Sequence, residues 1–88
     1  MAEPIRVALC DDHGVVRSGL RHILDDEADI VVVGDAGNAE DAVAIARAER
    51  PDVFVMDLGL PGTGGITATR QVREASPSTA VLILTVHD

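Results

Sequence analysis

Four short apolar runs, separated by segments of helical spacing, confine this chain to a fold of alternating strands and helices. The runs occupy positions 5–10, 30–34, 53–57 and 80–85. Runs of this length, rich in Val and Ile, suit strands buried on both faces of a parallel sheet. The sharpest is Val53-Phe54-Val55-Met56-Asp57, because Gly59, Pro61 and Gly62 break the pattern at once. Asp57 is therefore expected at the carboxyl end of its strand, which is where open parallel α/β sheets bind ligands.

Between the runs, the spacing predicts three helices. Val16, Leu20, Ile23 and Leu24 share one face of a first helix over 14–26, with Arg17, Arg21, His22 and Asp25 on the polar side. Asp12 or His13 is the candidate cap. Asn38, followed by Glu40 and Asp41, starts a second helix over 38–49 with a small-residue face of Ala42 and Ala46. Ile66, Thr69 and Val72 predict a third over 65–75, stopped before Pro77. The order βαβαβαβ gives an α/β fold with crossovers long enough for parallel pairing. With strands in the order 2-1-3-4, the first helix lies alone on one face of the sheet.

Composition narrows the function classes. Fifteen Asp and Glu stand against seven Arg, with no Lys, for a net charge of −8. Such a segment is unsuited to gripping nucleic acid directly, which needs phosphate-neutralising cations, and suited to holding a cation. No apolar run approaches the ~20 residues that cross a bilayer, and the start lacks the features of a secretory signal. The lone Cys10 excludes an internal disulfide, fits a reducing cytoplasmic setting, and is expected in the core together with Phe54.

Asp11, Asp12, Asp57 and Thr85 all fall at carboxyl ends of strands. Taken singly, each has a plainer role: a turn former, a helix cap, a β-branched strand residue. Together they converge, because strands 1 and 3 flank the point where the strand order reverses. Carboxylates ~5 Å apart repel by about 3 kcal/mol at an effective dielectric of 20, and a divalent cation resolves that conflict. Hard oxygen donors select Mg²⁺. A carboxylate beside such a cation can attack phosphorus to give an acyl phosphate; Asp57, alone at its strand end, is the candidate nucleophile. Thr85 could donate its hydroxyl to a phosphoryl oxygen. His13 and His87 are expected as solvated loop residues.

These stretches resemble the receiver domains of bacterial two-component response regulators. The resemblance rests on Val7–Asp12 with His13, on 52–65 with Asp57 followed by Pro61 and Gly62, and on 81–85 ending in Thr85. Asp11-Asp12-His13, Val16-Arg17-Ser18-Gly19-Leu20 and Leu84-Thr85-Val86-His87-Asp88 look like the LuxR/NarL-type subfamily. It implies a flavodoxin-like (CheY-like) fold of five βα units, a phosphoacceptor Asp57 supplied by a sensor histidine kinase, and a non-enzymatic signalling role. It further implies Mg²⁺ held by Asp12, Asp57 and the backbone carbonyl of Gly59, with Asp11 assisting and Thr85 as the phosphoryl-sensing switch. In that subfamily the output is usually a C-terminal DNA-binding domain that regulates transcription.

Two departures shape the expectations. The family's Lys and aromatic switch residue lie on a fifth strand, and this sequence stops after strand 4. The chain is thus expected as a partial receiver spanning 1–88, without the last strand, the last two helices or an effector domain. It is expected to keep metal affinity, to phosphorylate poorly or not at all, and to self-associate through the strand 4 edge and an uncovered sheet face. Gly14 also stands where the subfamily often has Pro. Rival families fit less well. A haloacid-dehalogenase-like phosphatase wants a second Asp where Gly59 stands, and a cobalamin-binding D-x-H-x-x-G module wants Gly where Val16 stands.

Overall fold

The computed structural model describes residues 3–60 and 64–84. In chain order they form β1 (Ile5–Cys10), α1 (Gly14–Asp25), β2 (Ile30–Ala36), α2 (Ala39–Glu49), β3 (Val53–Asp57), α3 (Gly64–Ala75) and β4 (Ala80–Leu84). The strands make one parallel sheet in the order β2-β1-β3-β4. Strand β2 runs two residues beyond its apolar run. A register shift between Val7 and Ala8 lets Gly34, Asp35 and Ala36 pair with Ala8, Leu9 and Cys10.

Side-chain alternation along the strands divides the core between the two faces. Ala8, Cys10, Phe54 and Met56 point to one face, where Ala39, Ala42 and Ala46 of α2 and Ala68 and Val72 of α3 bury them. Small residues on α2 let it lie close to the sheet and against α3. Its ends are well made: Asn38 Oδ1 accepts the Asp41 amide at 2.8 Å, and Arg50 closes the helix in the left-handed region at φ 44°. At the opposite end of the sheet from the Asp residues, Ser76 and Thr79 hydroxyls meet at 2.6 Å, and Thr79 donates to the Pro51 carbonyl.

The other face is thinly covered, as expected. Helix α1 lies there alone, against β1 and β2, as the strand order requires. Its apolar stripe is only partly covered: Val16 is 39% and Ile23 62% exposed, and no α1 residue is buried. Strand β3 is likewise buried on the Phe54/Met56 side and only half-buried at Val53 and Val55. One helix is too narrow to shield four strands. Among the described residues, no helix is long and apolar enough to cross a membrane.

Candidate functional site

Strands β1 and β3 are neighbours, with Cys10 opposite Met56, so the residues that follow them leave the sheet side by side. This places Asp11, Asp12 and Asp57 at one crevice, where the strand order reverses. Asp11 and Asp57 are buried, whereas Asp12 lies nearer solvent. Each offers a carboxylate oxygen and His13 a ring nitrogen, and the four atoms lie within 4.8 Å of one another. Octahedral coordination at ~2.1 Å puts opposite donors ~4.2 Å apart, so the cluster has the span and hard-oxygen character that suit a small divalent cation.

The loops hold this arrangement in place. Asp57 Oδ1 accepts the Gly59 amide at 2.9 Å, which turns the chain immediately after β3. Asp11 Oδ1 accepts the His13 amide at 2.7 Å, the short turn that lets adjacent Asp11 and Asp12 both address the crevice. That bond also shows how α1 begins. His13 occupies the cap position, yet neither its side chain nor that of Asp12 is seen capping the helix; the Asp11 carboxylate takes the loop amide instead. The leading residue of α3, Gly64, has φ +82°, a conformation side chains resist.

His13 is the site residue that sequence spacing did not single out. Its ring is 70% exposed, as a loop histidine should be, but Nδ1 sits 3.1 Å from Asp12 Oδ1 and 3.3 Å from Asp11 Oδ1. Position alone, next to Asp12 at a strand end, was the available signal. Thr85, together with Pro61, Gly62 and His87, lies outside the described residues. Gly59 is exposed in the turn beyond Asp57, where its amide is already engaged.

Cys10 lies directly beneath the cluster, buried, with its thiol donating to the Asn38 carbonyl at 3.6 Å. Burial, reinforced by the Asp11 and Asp57 carboxylates, pushes its pKa from 9.0 to about 12. At pH 8 its thiolate fraction is then about a thousandfold below that of an ordinary thiol, and alkylation of the native protein is expected to be slower by at least ~10³. Rates measured with and without denaturant check this. The neutral thiol therefore contributes stability that is intact below pH 9 and is lost as pH rises toward 12.

Comparison with known proteins agrees with this geometry. The family model for the response regulator receiver domain matches residues 7–88. Response regulator UvrY of Escherichia coli K12 is 46% identical over 83 residues, 94% of this chain and 38% of its own length. The transcriptional regulatory protein YxjL of Bacillus subtilis is 41% identical over 86 residues, 98% of this chain and 39% of its own. The chain thus spans under two-fifths of these relatives. Among solved structures, a LuxR-family response regulator from Aurantimonas superposes with TM-score 0.88 at 41% identity, covering 98% of this chain and 61% of that one. The receiver domain of NarL from Mycobacterium tuberculosis superposes with TM-score 0.89 at 33% identity, covering 99% and 70%. Sheet order, acidic crevice and these matches agree: the chain belongs to the response regulator receiver domain family, with relatives of the LuxR/NarL type.

Proposed function

We propose that Asp57 accepts a phosphoryl group from a phosphohistidine on a sensor histidine kinase, in a Mg²⁺-dependent step. The supporting observation is the convergence of Asp11, Asp12 and Asp57 at the crevice of a receiver-family chain, with donor atoms within 4.8 Å. A carboxylate oxygen of Asp57 forms a bond to phosphorus as the phosphorus–nitrogen bond breaks, and the departing imidazole takes up a proton. The Gly59 amide orients the carboxylate through Oδ1. Asp12, Asp57 and the Gly59 carbonyl would hold Mg²⁺, with Asp11 assisting. When bound, the ion offsets the charge that gathers on the phosphoryl oxygens. In this proposal Thr85 donates its hydroxyl to one of those oxygens.

The resulting acyl phosphate is a signal, and its use lies in an output region beyond these residues. With a net charge of −8 this segment repels DNA, so transcriptional control would act through a separate DNA-binding region. The test is labelling with a small phosphodonor, followed by peptide mapping. Whatever the yield, the label is expected on Asp57 alone and only with Mg²⁺. Labelling that survives chelation, or that maps to another residue, would overturn the reading.

A second property rests on the β4 edge. In the described sheet β4 pairs only with β3, and Leu82 and Ile83 are 60% and 41% exposed. Apolar strand edges of this kind recruit further strands. The 88-residue chain is expected to self-associate at micromolar to millimolar concentration, seen as a sedimentation coefficient that rises with concentration. A constant monomer value would exclude it.

A further inference from the structure

Arg17 was expected on the polar outer side of α1, and its side chain instead runs inward toward the acidic crevice. We propose that Arg17 is a positioning residue that fixes the metal-binding carboxylates by clamping the main chain of Asp11. The inference rests on the Mg²⁺ reading above and adds a role for a residue that touches neither ion nor phosphoryl group.

Three observations meet at this side chain. Its Nη1 donates to the Asp11 carbonyl at 2.6 Å, while its Nε pairs with Asp35 Oδ1 at 3.2 Å. Asp35 sits near the end of β2 opposite Leu9, and Arg21 pairs with its other carboxylate oxygen. The Asp11 amide donates to the Ala36 carbonyl at 3.0 Å, so the Asp11 peptide groups are tied on both sides to the end of β2. Finally, the chain leaves room for the guanidinium: a Cβ at Gly37 would lie 2.9 Å from Arg17 Nη1.

The fork of an arginine is what this geometry needs. It reaches a carbonyl and a carboxylate at once, where a lysine ammonium supplies a point charge on a looser stem. With the Asp11 carbonyl held, the Asp11 carboxylate takes the His13 amide, and that turn aims Asp12 into the crevice. Arg17 thus transmits the position of β2 to the metal loop.

Charge and positioning predict opposite signs, which makes the test decisive. Arg17 is a cation near a cation site, so if only its charge mattered, Arg17→Ala would tighten Mg²⁺ binding. Positioning predicts that Arg17→Ala weakens it about tenfold, with Arg17→Lys intermediate. Gly37→Ala keeps the charge but crowds the guanidinium, and is expected to weaken Mg²⁺ several-fold. It also covers the case in which Arg17→Ala fails to fold. Magnesium titrations should be paired with amide exchange in the metal-free protein, where the His13 amide is expected to exchange at least fivefold faster in both Ala variants. Asp12→Asn separates the two levels of inference. If Asp12→Asn removes binding while Arg17→Ala and Gly37→Ala stay within twofold of wild type, or tighten, positioning is wrong. If Asp12→Asn leaves Mg²⁺ affinity unchanged, the metal reading itself fails.

Discussion

Asp57→Asn is expected to abolish phosphoryl labelling completely, to weaken Mg²⁺ binding by about tenfold, and yet to leave the metal-free protein at least as stable as wild type. The three effects share one cause. The Asn amide oxygen can still accept the Gly59 amide in place of Asp57 Oδ1, so the turn after β3 survives. It carries no charge, so it attracts the ion less and is a far poorer nucleophile. Removing that charge also relieves repulsion among carboxylates whose donor atoms lie within 4.8 Å. At an effective dielectric of 20 such a pair costs about 3 kcal/mol, and screening at the solvent-exposed side reduces the gain to about 1 kcal/mol. For a chain of this length that is a rise in Tm of roughly 4–8 °C. Added Mg²⁺ should stabilise wild type more than the variant, so the two melting curves converge or cross as Mg²⁺ rises. Persistent labelling, or a clear loss of metal-free stability, would contradict the role assigned to this carboxylate.

What the sequence makes legible here follows from where the information is local. Short β-branched runs ended by Gly and Pro specify strands almost by themselves, and taking the doubly wound order 2-1-3-4, which the structure has, makes strands 1 and 3 neighbours and brings Asp11, Asp12 and Asp57 to one crevice. The end of β2 was less visible, because Asp35-Ala36-Gly37 reads as a turn, whereas one extra β2 residue opposite the Val7–Ala8 step brings Asp35 and Ala36 into register with Leu9 and Cys10. Periodicity identified the apolar stripe of α1 but could not say what covers it, and Val16 proves only partly covered and Ile23 largely exposed. Arg17 and His13 were hidden for a related reason. Their contacts run through a loop carbonyl and neighbouring carboxylates, and no spacing rule reports which way a long side chain leaves a helix or loop.

Gly65→Ala is expected to be the most destabilising Gly→Ala change among the described residues, at about 2–4 kcal/mol. Gly65 is buried in the first turn of α3, and its amide donates to the Leu58 carbonyl at 3.3 Å. An added Cβ would run well inside contact with the Asp57 carbonyl oxygen and Leu58 Cα, and would lie 3.0 Å from the Leu58 carbonyl carbon. All three are main-chain atoms, so no rotamer change relieves the clash. Either α3 withdraws, loosening Ala68 and Val72 from the core, or the main chain after β3 shifts and carries Asp57 with it. Both outcomes are measurable: a fall in the urea midpoint at unchanged slope, and weaker Mg²⁺ binding by whatever remains folded. Gly19→Ala is the matched control. It lies in α1 with no atom within 4 Å of its would-be Cβ, and the same methyl there should stabilise by about 0.5–1 kcal/mol through helix propensity. Opposite signs for one chemical change, 46 positions apart in the chain, would trace the cost at Gly65 to the close approach between α3 and the backbone that carries Asp57; similar shifts in the two variants would refute that origin.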